Sequence, residues 1–327
     1  MKTSTALPGL LAGLILALAA QTPAQAQGLA WISSEKDHAL TLLDLKTQAV
    51  VGTVATCQRP RHLRRTPDGK QLLVACGDAG QADVIDLATR KSLRRVPLGD
   101  DPEIFDLSPD GKTLYVSNEE DAEVGIVDLA SGKRLGAIAV GKEPEGVLVA
   151  PDGKTLYVTS EVANLVHVVD LAQAKVVKNL QAGKRPRRFA LTPDGRQLWV
   201  SNELDASVTV IDTARREVIA TIPFEVKGAR KTDITPVGIL ISADGRRAFV
   251  ALGKANHVAF VDVATRKTTD LVLVGKRAWG LGLDAAQKTL YVVNGLSDDL
   301  SIVDVAAAKA RKTVRVGRVP HSVVVVE

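Results

Sequence analysis

Ionisable or aromatic side chains recur at one position of a repeating pattern in the sequence. This position directly follows a Pro or, once, the Ala that replaces it. Successive members are 42 residues apart with one step of 50, and they are Arg61, Glu103, Glu145, Arg187, Val237, Trp279 and His321. A purely structural repeat would be uniform at this position. The variety of side chains at this position in the sequence predicts a common site that combines carboxylates, guanidinium groups, an indole and an imidazole.

Three members of this series could form the floor of a small-molecule site. Because the last and first inner strands of a closed ring are neighbours, Trp279, His321 and Arg61 should converge and offer a flat ring, an imidazole and a guanidinium. Trp279 could equally plug a channel. A hydrolase or lactonase would use the same point, around Glu145, Arg61 and His321. The sequence assigns a catalytic role to no residue.

Cationic side chains form a second group, beyond an acidic sector that runs from Asp100 to Glu145. This basic crescent consists of Lys184, Arg185, Arg187, Arg188, Lys227, Arg230, Lys231, Lys276 and Arg277. It could hold a carboxylate-bearing ligand or an acidic protein surface. The alternative is that these charges only solvate the loops.

The sequence contains no recognisable metal or cofactor motif. Five dispersed histidines and two cysteines give no zinc or copper spacing. There is no Cys-x-x-Cys-His for covalent haem, no His-Glu-x-x-His, no Gly-x-Ser-x-Gly elbow and no phosphate loop. His62 is one register away from His321, so on a strand the two imidazoles should point to opposite faces, which argues against a two-His metal pair. We therefore predict no metal and no cofactor, although a propeller enzyme can assemble its site from distant residues.

The two cysteines, Cys57 and Cys76, fall toward the same end of the repeats. In an exported protein an even number of cysteines permits a disulfide. Such a bridge would enclose about 20 residues and stabilise the fold by roughly 3 kcal/mol in the chain-entropy model. Two free buried thiols are the alternative.

A sequence repeat positions all of these residues. Pro-Asp-Gly begins at Pro67, Pro109, Pro151 and Pro193, with variants at Ala243 and Ala285, and an Asp between aliphatic residues falls at Asp44, Asp86, Asp128, Asp170, Asp212, Asp262 and Asp304. The repeat from Lys142 to Gly183 contains four short apolar segments separated by turns rich in Gly, Asp and Lys, as β-strands are. A period near 42 residues with four strands is typical of a propeller blade. We predict an all-β fold, a single seven-bladed β-propeller of four-stranded blades.

The ends of the chain are out of phase with the blades. The segment around Trp31 aligns with a second strand, whereas Gly317 to Glu327 aligns with a first strand and then stops. The C-terminal strand, Ser322 to Val326, should therefore complete the N-terminal blade and remove the exposed sheet edges.

The 50-residue step comes from extra residues between Ile222 and Pro236. This loop lies on the face where each first strand starts, which we call the top face. The Pro-Asp-Gly turns then lie on the opposite, bottom face. A longer loop on one rim is a common place for binding residues, and a neutral insertion is the alternative.

The N-terminus has the features of an export signal. Lys2 precedes an apolar run from Leu10 to Ala20, and Ala24-Gln25-Ala26 has the form of a cleavage site. We predict a signal peptide over 1–26, a propeller over 27–327 and a periplasmic location, with no membrane span because the run is too short. Of the 42 basic side chains, 41 remain after Lys2, against 37 acidic ones. No basic stripe accompanies this small excess, so we expect no nucleic-acid binding. We also expect a monomer.

Three second strands carry a family signature, in 114–118, 156–160 and 198–202, which read Leu-Tyr-Val-Ser-Asn, Leu-Tyr-Val-Thr-Ser and Leu-Trp-Val-Ser-Asn. Each is followed by a Val-rich strand and by Val-Gly-Lys-x-Pro or a variant of it. These segments resemble the YVTN-type propeller repeat. Seven such repeats behind a signal peptide are most similar to the PQQ-dependent catabolism-associated β-propeller proteins, which are encoded beside periplasmic quinoprotein alcohol oxidation and an ABC transport system.

This resemblance implies a periplasmic binding or scaffold protein of quinoprotein-linked alcohol catabolism, with only an indirect association with PQQ. Its partner would be a quinoprotein dehydrogenase, an ABC-transport component or a small acidic ligand. The top-face residues expected to take part are Arg61, Glu103, Glu145, Arg187, Arg188, Lys227, Arg230, Lys231, Trp279 and His321. The alternatives are a propeller hydrolase or lactonase acting at the channel mouth, and a haem or metal protein resembling the reductase propellers.

Overall fold

A computed structural model describes residues 28–327, and the predicted signal peptide over 1–26 lies outside them. The described chain forms 28 strands in seven four-stranded sheets. The prediction of an all-β, seven-bladed propeller is therefore confirmed. Two short 3-10 segments, Gly77–Ala79 and Lys231–Asp233, interrupt the loops. Within 28–327 no helix is long and apolar enough to cross a membrane.

Each sheet is one blade, whose strands follow one another from the channel outward. Blade 1 consists of β28 (Pro320–Val326), β1 (Leu29–Ser34), β2 (Ala39–Asp44) and β3 (Ala49–Ala55). Blade 2 consists of β4 (Pro60–Arg65), β5 (Gln71–Cys76), β6 (Gln81–Asp86) and β7 (Lys91–Pro97). Blade 3 consists of β8 (Pro102–Leu107), β9 (Thr113–Asn118), β10 (Glu123–Asp128) and β11 (Arg134–Ala139).

The remaining blades repeat this order. Blade 4 consists of β12 (Pro144–Val149), β13 (Thr155–Ser160), β14 (Leu165–Asp170) and β15 (Lys175–Gln181). Blade 5 consists of β16 (Pro186–Leu191), β17 (Gln197–Asn202), β18 (Ser207–Asp212) and β19 (Glu217–Pro223). Blade 6 consists of β20 (Ile239–Ile241), β21 (Arg247–Ala251), β22 (His257–Asp262) and β23 (Lys267–Leu273). Blade 7 consists of β24 (Ala278–Leu283), β25 (Thr289–Asn294), β26 (Asp299–Asp304) and β27 (Lys309–Arg315).

The apolar pattern of each strand reflects its place in the blade. Second and third strands are apolar on both faces, as in β5, because each blade packs between two others and both faces are buried. Fourth strands face solvent and keep mainly one buried aliphatic residue, as Val96 in β7. The burial of these aliphatic faces between blades forms the core.

The ring of blades is closed by the C-terminal strand. β28 pairs antiparallel with β1, with Leu29 opposite Val326 and Ile32 opposite Val323. The chain therefore supplies the inner strand of blade 1 from its C-terminus and the other three from its N-terminus, as predicted. β1, the second strand of blade 1, thereby has a partner strand on both sides.

Both sequence anchors of the repeat are turn residues. Asp68 of the first Pro-Asp-Gly accepts hydrogen bonds from the Thr66 hydroxyl and the Lys70 backbone amide. Gly69 has a φ of 71°, a conformation that glycine adopts at little cost. The second anchor works similarly, since Asp86 accepts from the Thr89 amide and hydroxyl. These motifs fix the bottom-face turns, so the site must be sought elsewhere.

Candidate functional site

The first strands place the seven predicted residues in a ring at the top end of the channel. In β4, β8, β12, β16 and β24 the pairing register shifts just after the first residue of the strand. A β-bulge at this point changes the direction of the ring side chain. The ring residues are Arg61, Glu103, Glu145, Arg187, Val237, Trp279 and His321, and all are buried or nearly buried. Trp279, His321 and Arg61, which the sequence predicts to converge, are three of the seven residues of this ring.

Hydroxyl groups of the second strands hold the ring backbone in place. The Ser117 hydroxyl donates to the carbonyl of Glu145 on the next blade at 2.7 Å, and the Thr159 hydroxyl donates to the carbonyl of Arg187 at 3.2 Å. Ser33 and Ser201 make the equivalent bonds to Arg61 and Val237. The Ser or Thr of the repeat signature therefore links one blade to the ring position of the next.

Ion pairs on blades 2 and 3 form the first part of the ring network. Arg61 donates to the carboxylate of Glu103, and its Nε lies 3.8 Å from Oε1 of Glu35. Arg59 reaches the same Glu103 carboxylate at 3.3 Å and Asp101 at 3.1 Å. Each buried carboxylate here has a guanidinium partner, as burial of charge requires.

Blades 4 and 5 form the second part, centred on Arg187. Its guanidinium contacts Glu161 and lies 3.4 Å from Glu145 and 3.7 Å from Glu203. Arg188 shares Glu145, with its Nη2 3.2 Å from Oε1. One guanidinium thereby joins a carboxylate of one first strand with two carboxylates that directly follow second strands, and its side chain is only 7% exposed.

Two carboxyl groups of the ring, Glu103 and Glu145, lie against each other. Burial, together with the Glu145 carboxylate, raises the pKa of Glu103 to about 8. Burial alone would raise the pKa of Glu145 as well, but Arg187, Arg188 and Arg61 outweigh it and lower that pKa. The two carboxyl groups therefore titrate as a pair, in which Glu103 keeps its proton to a higher pH than Glu145.

Trp279 and His321 complete the ring on blades 7 and 1. Their rings lie 5.9 Å apart, and the Arg277 guanidinium lies 4.1 Å from the indole centre in a cation–π contact. Burial, and then the charge of Arg61, keeps the pKa of His321 well below its ordinary value, so the imidazole is neutral. Its Nδ1 contacts the Ser322 hydroxyl at 3.0 Å, and its Nε2 has no hydrogen-bond partner within 28–327.

The predicted basic crescent divides into two environments. Arg187 is buried in the ring, and Arg188, whose side chain is 15% exposed, directly follows it. Lys227, Arg230 and Lys231 are exposed on the blade 6 insertion, which is anchored by buried Phe224, Val226 and Ile234. Arg230 pairs with Asp233 at 2.7 Å, and Lys231 lies 4.0 Å from Asp205. The structure therefore does not bring the insertion cations to the ring.

Sequence reasoning missed three exposed aliphatic residues on the top face. Val162, Leu204 and Leu296 are 57%, 60% and 63% exposed. Each lies two residues beyond the end of the second strand of its blade, at a position where the other blades carry Lys36, Asp78, Glu120 and Lys254. Comparing that one column across the repeats would have found them, because a turn tip that is polar in four blades is apolar in three.

The β-bulge in β4 interrupts the strand alternation on which the expectation for His62 and His321 rests. His62 lies just below the ring, near enough to His321 to affect its pKa, and its ring packs edge-on against Phe105 at 5.1 Å. Burial lowers the pKa of His62 well below its ordinary value. Both imidazoles are therefore neutral and lie on the channel side.

Two groups of three carboxylates in and beside the acidic sector bring oxygens within 4.8 Å of one another, Asp101 with Glu103 and Glu119, and Glu119 with Glu143 and Glu161. Arg59 already contacts Asp101 and Glu103, and Arg185 contacts Glu161. Acidic clusters paired in this way are common without a metal, and we assign none to them.

Cys57 and Cys76 form a disulfide with Cα atoms 5.8 Å apart. It joins the loop after β3 to the end of β5, and so ties blade 1 to blade 2 beside Arg59. Both cysteines are buried.

Solved structures of several propellers are similar to this chain. Hydrazine synthase of Kuenenia stuttgartiensis is 22% identical, with a TM-score of 0.77 and coverage of 90% of this chain and 99% of that one. The periplasmic gluconolactonase PpgL of Pseudomonas aeruginosa is 21% identical, with a TM-score of 0.79 and coverage of 92% and 99%. Dihydro-haem d1 dehydrogenase NirN, in complex with DHE, is 17% identical, with a TM-score of 0.70 and coverage of 94% and 77%. At these identities the likeness shows the fold alone. No curated protein matches the chain.

A haem does not fit the ring as its residues stand. Haem iron needs a protein ligand, and haem carboxylates need cations. His321 offers a neutral Nε2, but the residue is 3% exposed and packs against Trp279. Arg61 and Arg187 already bind the carboxylates of the ring, whose own negative charge would repel those of a haem. We derive no chemistry through a haem at this position.

A family model gives the chain its classification. The model described as "Cytochrome D1 heme domain" matches residues 121–327, which run from the loop before β10 through blades 4 to 7 to the closing strand. The match covers more than half of the sequence. The chain belongs to the Cytochrome D1 heme domain family.

Proposed function

We propose that this chain is a periplasmic binding protein whose top face docks a protein partner of quinoprotein-linked alcohol catabolism, either a quinoprotein dehydrogenase or an ABC-transport component. The observation that carries the proposal is the set of three exposed aliphatic side chains, Val162, Leu204 and Leu296, beside exposed cations. Aliphatic side chains exposed at turn tips are costly in water unless a partner covers them.

The aliphatic residues and the cations occupy one arc of the top face, over blades 4 to 7. Leu204 donates its amide to the carbonyl of Lys184, and Leu296 donates to that of Lys276, so a lysine accompanies each leucine. The insertion of blade 6, with Arg230 and Lys231, lies within the same arc. We call these residues the top rim: Val162, Leu204, Leu296, Lys184, Lys276, Arg230 and Lys231.

Apolar contacts surrounded by cations suit a partner with an apolar, acidic surface. The apolar residues would supply most of the affinity, and the cations would guide approach and orientation. Below this surface, the charged side chains of the ring form ion pairs with one another. Because they already have partners, we favour docking at the top rim over catalysis at the channel mouth. The export signal predicted from the sequence supports a periplasmic location, and the resemblance to PQQ-associated propellers supports the choice of partner.

The proposal is tested by replacing the aliphatic residues with Glu in one variant, Val162→Glu with Leu204→Glu and Leu296→Glu. The matched control carries Leu93→Glu, Leu135→Glu and Leu273→Glu, which are 51%, 57% and 64% exposed on outer strands. Purified dehydrogenase and transport proteins from the same periplasm are tested for binding. We expect binding to be lost in the first variant and kept in the control. Equal binding by both variants would show that the top rim is not the docking surface.

Lactone hydrolysis is a second candidate, favoured by the carboxyl pair of Glu103 and Glu145. Two carboxyls with pKa values pushed apart can serve as acid and base, and a propeller gluconolactonase shares the fold. Both residues are at most 4% exposed, so a substrate would have to enter the ring. Turnover of γ- and δ-lactones that is lost in Glu145→Gln would support this function, and a panel with no turnover would exclude it.

A further inference from the structure

A cavity of about 700 Å³ lies in the channel below the ring. It opens at the bottom face, where its rim includes Pro67, Pro109 and Pro151 of the Pro-Asp-Gly turns. Of the ring residues only Val237 and Trp279 line it, so the ring separates it from the top face. The volume is within the range of small-molecule sites, roughly 300–1,000 Å³.

The space exists because of the residues that follow each ring member, which form a second ring. They are His62, Ile104, Gly146, Arg188, Gly238, Gly280 and Ser322. The glycines are required by the close approach of neighbouring first strands, since a Cβ on Gly238 would lie 2.0 Å from the Trp279 carbonyl oxygen and one on Gly280 would lie 2.5 Å from that of His321. No side chain can therefore fill this side of the channel.

Arg188 gives the inner end of the cavity a cationic group. Within 28–327, Glu145 is the one carboxylate within 4.0 Å of its guanidinium, and Glu145 is shared with Arg187. Two guanidinium groups thus share one carboxylate, although each has five N–H donors. The Arg188 side chain is 15% exposed and lines the cavity, where it can donate to a bound anion.

His62 adds a neutral imidazole next to Arg188. Its pKa is lowered by burial and then by the charge of Arg188, and it lines the cavity together with Phe105. Further toward the opening, Arg64 is neutralised by Asp106 at 2.9 Å. Arg188 is therefore the cation at the inner end of the cavity, paired only with the Glu145 carboxylate that it shares with Arg187, and Arg65 is a further lining cation closer to the opening.

The wall toward the bottom face is apolar over blades 4, 6 and 1. Leu148, Leu240 and Val324 line it and are half-buried, and the Trp279 indole lies at the inner end. A cation at the closed end and aliphatic walls toward the opening match a molecule with a charged head and an apolar tail.

We infer that this cavity binds a small monocarboxylic acid, with its carboxylate at Arg188 and His62 and its hydrocarbon part along Leu148, Leu240 and Val324. The site is at the opposite end of the channel from the top rim. It does not depend on the proposed docking function, and the two can fail separately.

Octanoate, with octan-1-ol as the uncharged analogue, tests the inference by calorimetric titration of the full mature chain. We expect saturable one-site binding of octanoate and at least roughly tenfold weaker binding of the alcohol, because a hydrogen bond to a charged group is lost. Arg188→Gln should weaken octanoate binding by a similar factor. Arg196→Gln should leave it unchanged, because Arg196 has an 85% exposed side chain and does not line the cavity.

Leu148→Trp provides a second variant that leaves the ring charges intact and fills the cavity. It should abolish octanoate binding while the protein keeps the cooperative unfolding of the unaltered chain. The inference is overturned by three results: no saturable binding at millimolar octanoate, equal binding of octanoate and octan-1-ol, or unchanged binding in the folded Leu148→Trp variant.

Discussion

The guanidinium of Arg61 donates a hydrogen bond to the carboxylate of Glu103, which lies 42 residues further along the chain. That separation is one repeat, so the bond joins equivalent positions of blades 2 and 3. Glu103 in turn contacts Glu145, and Glu145 lies 3.4 Å from Arg187. A repeat whose turns are uniform thus varies at one position to build a charge network across four blades.

Removal of the guanidinium at the centre of this network should be strongly destabilising. Arg187→Met leaves Glu145, Glu161 and Glu203 without their shared cation. Removing one partner of a buried ion pair costs roughly 3–5 kcal/mol of folding free energy. Urea unfolding measures the change. Arg196→Met, on an exposed turn, should change the free energy of unfolding by less than about 0.5 kcal/mol. Similar values for both variants would mean that the ring network does not stabilise the propeller.

The carboxyl pair predicts a pH dependence of stability. Because the pKa of Glu103 rises from its ordinary 4.5 to about 8 in the folded protein, the folded state binds this proton more tightly than the unfolded state. The contribution of Glu103 is therefore fully present below pH 4.5 and is lost as the pH rises toward 8. Urea unfolding between these values should show a declining free energy of unfolding.

Glu103→Gln isolates that contribution. The amide keeps a donor for Glu145 but cannot lose a proton, so we expect a flatter pH dependence than in the unaltered chain. Glu217→Gln, on the exposed start of β19, should retain the original slope. An unchanged slope in Glu103→Gln would show that this carboxyl does not titrate as described.

Closure of the ring by β28 predicts that a short C-terminal deletion is severe. Loss of 323–327 removes the pairs of Ile32 with Val323 and of Leu29 with Val326, and exposes the edge of β1. Size-exclusion chromatography and urea unfolding should reveal aggregation or loss of cooperativity. Removal of Glu327 alone should have little effect. A truncated protein that stays monomeric and unfolds cooperatively would contradict this role of β28.

The disulfide should stabilise the join between blades 1 and 2. Cys57 and Cys76 are 19 residues apart in sequence, and closing a loop of about 20 residues is worth roughly 3 kcal/mol. We expect a Cys57→Ser, Cys76→Ser double variant to lose a stability of this order in urea. As a control, a reductant should destabilise the unaltered chain but not the double variant. No difference between the oxidised chain and the variant would contradict the estimate.

The fold was predictable because its signals are local and repeated. Gly69 and Asp68 specify a turn by their own conformation and hydrogen bonds, and the same turn recurs at a fixed period. Because the N-terminal segment aligns with a second strand and the C-terminal segment with a first strand, the sequence also indicated that β28 closes the ring. The seven ring residues followed from the same alignment, because equivalent positions in a propeller meet at the channel.

Other details of the site could not be predicted, because they depend on features that the alternation of side chains along a strand does not show. The β-bulge in β4 interrupts the alternation next to His62, which lines the cavity below the ring. Arg187 is buried because its first strand carries it among the ring carboxylates, whereas Arg230 is exposed on the long loop before β20. The cavity below the ring follows from backbone approach at Gly238 and Gly280, which only the packing of neighbouring first strands reveals.

Native mass spectrometry of the protein purified from its own periplasm tests the central claim most directly. We predict a complex of the chain with a partner polypeptide that dissociates on denaturation. The complex should be absent from the variant with Glu at Val162, Leu204 and Leu296 and present in the control with Glu at Leu93, Leu135 and Leu273. A chain that carries a haem-sized ligand and no polypeptide, or a complex that survives the top-rim substitutions, would contradict the claim.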